Sequence, residues 1–331
     1  MKCRVCQEPS PSPAPLKVKG ARQAYSHSFE YTVCVKCGSL SISNIPENLS
    51  EFYKNYYSFQ NFEPTSSFID KLKKILLKIL FLKTCPSFLK RVALRFFFTK
   101  EDDFKLTSLI PVCPQKDWRI LDIGSGSGDF VCNLHDLGFK NAIGIDPFLE
   151  KSIQYSNGAL ILKQDLSSLC EKFDLITFHH SFEHLENPQH YLEKLKTLLN
   201  PDGICILRLP NIECLSFKIF KEFWVGIHAP YHVFLPTYRG LDLLLKPLGL
   251  EIQSCLGEQV IDFFLISMEN FMSIPDHDKD SIRSLLKRGG HLSETPWHCK
   301  QELCYWKSMK KLVEKNNLCD CVVYYIGSKN G

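Results

Sequence analysis

The chain has no apolar run of about 18 residues free of charge, so no membrane-spanning helix is expected. Its first residues offer Cys, Arg and Pro instead of an apolar core with a cleavage site, so no signal peptide is expected either. Charge of one sign is also scarce. Against 36 Asp and Glu stand 40 Lys and Arg, and a net charge of +4 is too small to imply nucleic acid on its own. There is no internal repeat. Cysteine, by contrast, is plentiful. Fifteen is an odd number, and most are scattered singly through apolar segments, which points to a reducing compartment where Cys serves as a small hydrophobe. With 331 residues, 44% apolar and 23% charged, the chain suits a soluble protein of one large domain, alone or with a smaller companion. The expectation is a cytoplasmic enzyme.

Residues 1–45 carry two paired knuckles, Cys3-x-x-Cys6 and Cys34-x-x-Cys37, separated by a Pro/Ser loop and a short strand-like alternation. Each tight turn presents two sulfurs to one point, so the four thiolates suit one tetrahedral zinc ion in a small ribbon-like module. So short a segment has too little core to fold unaided, and a metal would supply the missing stability. The competing reading is a redox dithiol, which favours a single Cys-x-x-Cys near a βαβ pattern, and neither pair lies in one.

Residues 46–105 read as a connector. "EFYKNYYSF" brings Tyr53, Tyr56 and Tyr57 close together, and nine Lys/Arg follow between Lys71 and Lys100 with no acid among them. At helical spacing Phe68, Ile69, Leu72, Ile75, Leu76 and Ile79 share one face, and Lys71, Lys74 and Lys78 share the other. Pro86 ends that helix, and a second begins nearby. Two readings stand: residues 68–98 lie as an amphipathic pair on anionic lipid at the inner face of a membrane, or they pack on the next domain with their lysines in solvent.

From Trp118 onward, strand and helix alternate over residues 106–331. "RILDIG", "NAIGIDP", "GALILKQDL", "KFDLITFHH" and "ICILRLP" read as strands. "FVCNLHDLG" is a helix closed by Gly138, and a second helix has Asn187 as its N-cap, Pro188 at its first position and a Pro-Asp-Gly stop. A helix in "YRGLDLLLKPLG" and strands in "LEIQSC" and "CDCVVYYIGSK" complete a doubly wound α/β sheet, with a partly helical insertion at about 260–315.

The stretch "LDIGSGSGDF" (residues 121–130) tells what this sheet holds. No Lys follows the glycines, so it is not a triphosphate loop. The spacing Gly124-Ser125-Gly126-Ser127-Gly128 lacks the third glycine of a dinucleotide loop, and Asp129 and Asp122 would repel a pyrophosphate. The loop suits a cationic ligand without phosphate. S-adenosyl-L-methionine fits, with Asp146 at the tip of the second strand accepting from the ribose hydroxyls.

Taken together, "LDIGSGSG", "GIDP", "KQDL", "FDLITFHHSFEHLENP" and "LLNPDGICILRLPN" resemble the class I S-adenosylmethionine-dependent methyltransferases over about residues 105–256, in that family's order and spacing. The resemblance implies a seven-stranded, mostly parallel, Rossmann-like sheet with an antiparallel last strand. It implies cofactor contacts from Asp122, Gly124, Ser125, Gly126, Gly128, Asp146 and Pro147, from Asp165 and Leu166 at the adenine, and from His179. An inactive domain that keeps the fold is the alternative.

His180-x-x-Glu183-His184 matches a zinc-protease pattern superficially, but it occupies a strand-to-helix turn where that chemistry needs a helix. The turn instead overhangs the cofactor's methyl group, so His184 is the expected base with Glu183 orienting it. "HAPYHVF" resembles a segment of small-molecule members, which implies that His228 and His232 line the acceptor pocket; the alternative is that one of them merely caps the next helix or packs. The zinc module and "YKNYYSF" are similar to those of sugar methyltransferases, which makes Tyr57 a further catalytic candidate. The second large C-terminal domain of the sugar C-methyltransferases is missing. The expected acceptor is a sugar or glycan precursor. RNA, read by a zinc-bearing ribosomal branch, and a non-catalytic scaffold are the alternatives; nucleic acid is disfavoured because the basic run is interleaved with aliphatics.

Overall fold

The computed structural model describes residues 2–9, 14–24, 26–53, 68–97, 101–272, 313 and 318–329. Along the chain the strands are β1 (Leu16–Lys19), β2 (Ser28–Val33), β3 (Leu40–Ile42), β4 (Ile120–Ile123), β5 (Ala142–Ile145), β6 (Ile153–Gln154), β7 (Leu160–Leu162), β8 (Phe173–His179), β9 (Leu199–Pro210), β10 (Phe234–Leu235), β11 (Leu250–Glu258) and β12 (Cys321–Ser328). The helices are α1 (Leu49–Phe52), α2 (Phe68–Leu80), α3 (Ser87–Phe97), α4 (Glu101–Thr107), α5 (Asp129–Leu137), α6 (Pro188–Leu198), α7 (Leu215–Phe220), α8 (Tyr238–Leu245) and α9 (Ile261–Phe271). They fall into two compact units. One gathers residues 1–49, 210–241 and 256–322, and the other gathers 50–209, 242–255 and 323–331. The stretch 1–45 therefore shares its unit with two later segments.

In the first unit, β1, β2, β3 and β10 form an antiparallel sheet in that order. The late two-residue strand β10 closes its edge, pairing Phe234 with Ser41 and Leu235 with Leu40. The α7 and α9 helices meet through Phe220, whose ring centroid lies 5.2 Å from that of Phe264. Most of the expected 260–315 insertion lies outside the described residues.

The second unit is built on a sheet ordered β11-β12-β9-β8-β4-β5-β7-β6. The pairs β4·β5, β4·β8, β5·β7 and β8·β9 are parallel. β4 is therefore central, and the connections run outward from it in opposite directions. The C-terminal ends of β4, β5 and β8 meet at the reversal, where open α/β sheets leave a crevice for ligand. Central strands buried on both faces need near-continuous apolar runs, and "ILDI" and "FDLITFH" supply them. α5 begins after Gly128 and ends at Gly138, whose left-handed backbone returns N–H groups to the last carbonyls. α6 has Asn187 accepting from the His190 N–H and Pro188 at its start, as the sequence predicts.

Three expectations need correction. The sheet has eight strands instead of seven, because the two-residue β6 adds an antiparallel edge to β7. The Pro-Asp-Gly stretch is not a turn between elements. β9 already starts at Leu199, and residues 201–203 lie in an irregularity between the Phe173–Leu199 and Leu175–Ile204 pairs. The stripe expected on α2 is not the face that packs: of its residues with described burial, Leu76 alone lies against the core. Leu77, Leu80 and Phe81 are buried, whereas Leu72, Ile75 and Ile79 are exposed. The helix is apolar round more than half its circumference, so periodicity alone does not pick the packed side. Among the described residues, no helix is long and apolar enough to cross a membrane.

Candidate active site

The glycine loop leaves β4 with a backbone that only glycine adopts without strain. Gly124 has φ +71°, and a Cβ there would lie 2.5 Å from Ser181 Cβ. Gly128 has φ +90°, and its Cβ would lie 2.3 Å from Ile161 Cδ1. The loop is pinned from outside, with Tyr155 Oη donating to the Ser127 carbonyl at 2.6 Å and Ser181 Oγ donating to the Ile123 carbonyl at 2.5 Å. Asp129, expected to repel phosphate, lies 3.8 Å from Lys105 Nζ and accepts from Asn133. Its charge is thus partly answered.

Asp146, just past β5, reaches back across the loop. Its Oδ2 accepts from the Gly126 N–H at 3.0 Å, and its Oδ1 accepts from the Phe148 N–H at 2.9 Å. Each oxygen keeps a lone pair. Burial raises this carboxyl above its ordinary range, and the two N–H donors only partly offset that. Asp122, within β4, is buried and accepts from Thr177 Oγ1 at 2.7 Å. Burial pushes it up to about 7, against the pull of Thr177 and of Lys105.

His179 ends β8, opposite Arg208 of β9, with Phe130 edge-on at 4.6 Å. Burial, with the charges of Lys105 and Arg208, holds its imidazole neutral. Both of its ring nitrogens, and Ser125 Oγ, are buried with no hydrogen-bond partner among the described residues. Folded proteins rarely leave such atoms unsatisfied, so this cradle fits a polar ligand. Asp165 is differently employed. Its Oδ1 accepts from the Ser167 N–H at 2.9 Å and caps the turn at Leu166–Ser168, where Leu166 is buried. Burial opposes its ionisation, but hydrogen bonds from Ser167 and Tyr191, with the charge of His190, together hold its carboxyl below the ordinary range. Pro147 is exposed at the turn that follows Asp146.

Past β8 the chain turns sharply. His180 takes a left-handed φ of 55°, a conformation rare for a non-glycine residue and concentrated at functional sites. The turn Phe182–His184 follows. Glu183 is fully buried, and burial raises its carboxyl to about 8 although Arg208 pulls it down. Its Oε1 lies 3.2 Å from His180 Nδ1, and one of its oxygens lies within 4.8 Å of a His184 ring nitrogen. His184 is half-buried, and its Nδ1 lies 2.9 Å from Tyr53 Oη. Tyr53 stacks face to face on Phe148, with centroids 5.5 Å apart. The tyrosine beside the candidate base is thus Tyr53; Tyr57 lies outside the described residues. Three close tyrosines signalled the role, but only tertiary structure selects among them.

The remaining candidates belong to the first unit. His228 has φ 44° and lies 3.3 Å from Arg22 Nε through its own Nε2. His232 is buried, its Nδ1 2.9 Å from the Gly226 carbonyl, and the two imidazole centroids are 5.2 Å apart. The four cysteines come together as the spacing predicts. Cys3 and Cys37 Sγ are 3.7 Å apart, as are Cys6 and Cys34 Sγ, and all four lie within 4.8 Å of one another. A tetrahedron with metal–sulfur bonds of about 2.3 Å has sulfur–sulfur edges of about 3.8 Å. The hydrogen bond between Cys3 and Cys37 pushes the Cys3 thiol up and the Cys37 thiol down.

A crevice at the switch point of a doubly wound sheet, a bare glycine loop and an acid at the tip of the next strand define a nucleoside-binding α/β domain of the Rossmann-like methyltransferase fold. The family of methyltransferase domains matches residues 81–254, just over half of the chain, and the chain belongs to it. It is 32% identical over 128 residues to the tRNA U34 carboxymethyltransferase of Ruthia magnifica, covering 35% of this chain and 40% of that protein. It is 27% identical over 189 residues to the mitochondrial ubiquinone biosynthesis O-methyltransferase of Rattus norvegicus, covering 50% and 53%. The chain thus spans about half the length of these curated relatives or less. A solved cyclopropane synthase from Mycobacterium tuberculosis aligns at TM-score 0.40 and 15% identity, over 68% of this chain and 82% of that one.

Proposed function

We propose that this chain is an S-adenosylmethionine-dependent methyltransferase acting on a small molecule, a nucleotide-linked sugar or glycan precursor, in a reducing cytoplasm. One observation carries the catalytic reading: a half-buried histidine, His184, paired with Tyr53 on the turn beside the glycine loop. The cofactor, when bound, supplies an already activated methyl group, so the protein chiefly aligns the acceptor and removes its proton. Asp146 offers its remaining lone pairs to the ribose hydroxyls, and Asp122, pushed up to about 7 in the ligand-free protein, becomes the counter-charge when a cationic ligand group draws its pKa down. A sugar hydroxyl, or a carbon beside a carbonyl, has little anionic character at neutral pH and needs a base. His184 is that base. The hydrogen bond between Nδ1 and Tyr53 Oη orients the imidazole that takes the proton. Glu183, held largely protonated by burial, steadies the turn through His180. His228 and His232 are next in line.

The names of the curated relatives favour a second reading, RNA as acceptor. A rate panel separates the two: labelled methyl transfer to nucleotide-linked sugars and to tRNA, each with wild type and His184→Gln. The proposal expects sugar methylation that falls roughly 100- to 10,000-fold in the variant, with cofactor affinity nearly unchanged. Transfer to tRNA alone would replace the acceptor. Cofactor binding without turnover on either would favour the scaffold reading.

The same proposal includes one structural zinc ion on Cys3, Cys6, Cys34 and Cys37, supported by the sulfur spacing. Elemental analysis of protein purified without chelator should find one zinc per chain, and none in Cys34→Ser.

A further inference from the structure

The α2–α3 segment of the second unit has two apolar sides, and the core uses one. Leu77, Leu80 and Phe81 join the cluster that includes Leu137 and Phe139, with the rings of Phe81 and Phe139 5.9 Å apart. On another side of α2, Leu72, Ile75 and Ile79 recur at helical spacing and are 51%, 57% and 50% exposed. Leu82 in the following turn and Phe88 and Leu89 at the start of α3 add three more exposed apolar side chains, Phe88 at 67%. Scattered exposed leucines need no explanation, but six within 18 residues of one helical hairpin do.

Charge says what covers them. The run from residue 71 to 100 holds nine Lys/Arg and no acid. Lys78 and Lys83 are exposed beside the apolar ridge. Lys74 is held by Asp136 at 2.6 Å, which fixes α2 on the body of the unit. Wheel angles of 100° per residue put positions 71, 74 and 78 in one narrow sector directly flanking the sector of 72, 75 and 79. A ridge of aliphatic and aromatic side chains bordered by cations is the pattern of a helix lying in a lipid interface, with apolar groups among the acyl chains and lysines at the headgroups. A second copy of the chain fits poorly, since an isologous contact would set this cationic run against itself. RNA fits poorly because phosphates give six exposed apolar groups nothing to cover them.

We infer that Leu72, Ile75, Ile79, Leu82, Phe88 and Leu89, with the surrounding lysines, form a docking surface for an anionic membrane. The inference is independent of the acceptor's identity. It places the enzyme where a lipid-borne or membrane-released substrate is met.

The test uses the full chain and vesicles of phosphatidylcholine alone or with 30 mol% phosphatidylglycerol, a flotation assay and two triple variants. Ile75→Ser/Ile79→Ser/Phe88→Ser removes ridge side chains, and Lys78→Glu/Lys83→Glu/Lys90→Ala removes charge. Wild type should float with the anionic vesicles at low salt and remain behind with the neutral ones. A lysine near an anionic surface strengthens partition by roughly fivefold, so loss of the two exposed lysines alone should cost the charge variant at least about 25-fold, and the ridge variant should lose at least tenfold. Melting curves and S-adenosylmethionine binding identify any variant that has misfolded; Ile75→Ser and Lys78→Glu singly, at exposed positions, then replace it. No flotation of wild type at low salt overturns the inference. So does flotation that well-folded variants keep, dimerisation abolished by the ridge variant, or binding to RNA homopolymer in preference to lipid. Loss of methyl transfer with intact flotation would instead count against the enzymatic reading.

Discussion

Burial disfavours the charged form of a carboxyl group, and Asp122, Asp146 and Glu183 are all raised by it. Burial pushes Asp122 up to about 7 and Glu183 up to about 8, from ordinary values of 3.8 and 4.5. Folded pKa values above the unfolded ones mean that the folded state binds the extra protons. The stabilisation is full below about pH 4 and is lost as pH rises through 7 and then 8. The melting temperature of the ligand-free protein should therefore fall between pH 6 and 8.5, and Asp122→Asn with Glu183→Gln should flatten that slope. An equally steep slope in the double variant would show that other groups set it. Asp146→Ala removes two backbone anchors as well as the acceptors proposed for the ribose. By calorimetry it should weaken S-adenosylmethionine binding by roughly 1.5–3 kcal/mol per charged hydrogen bond lost. Tyr53→Phe should cost about 1–2 kcal/mol in transition-state stabilisation, roughly 5- to 30-fold in turnover, with little change in cofactor affinity. The placement of Asp122, Asp146 and His184 was legible because each stands at a fixed offset from an apolar strand. Tyr53 was not, because its contact with His184 spans 131 positions and leaves no local pattern.

Among the elements, the strands that read most clearly are those with nothing to decide. β4, β5 and β8 are buried, and their apolar runs are bounded by glycine or turn residues. β6 escaped notice because a two-residue edge pairing requires no periodicity. The start of β9 escaped because Pro-Asp-Gly has strong turn chemistry that the sheet absorbs as an irregularity. α2 shows the converse: its helical pattern was plain while its packed face was not. The glycine loop gives the sharpest element-level test. Gly124→Ala would force a left-handed backbone on a residue with a Cβ and press it on Ser181, which itself anchors the Ile123 carbonyl. A loss of about 1–3 kcal/mol in stability, with weaker cofactor binding, is the expected outcome by denaturant titration and calorimetry.

At the scale of the whole molecule, the order of synthesis and the order of assembly do not coincide. The knuckle around Cys34 and Cys37 leaves the ribosome early, yet its neighbours come about two hundred residues later. Thr237 Oγ1 donates to the Cys37 carbonyl, the Thr237 N–H donates to Ser39 Oγ, and β10 pairs with β3. Contacts of such sequence separation form late and fold slowly. A nascent chain halted before residue 233 would hold the cysteine cluster without its sheet edge, and a chain deprived of its first 45 residues would expose an orphaned strand. Thiol reactivity followed on stalled ribosomes of increasing length should therefore drop in two stages. The first comes when Cys37 emerges and the four sulfurs can share an ion, and the second only after the segment carrying Thr237 clears the exit tunnel. Early metal capture would then act as a placeholder, holding a half-made fold open for a partner not yet translated.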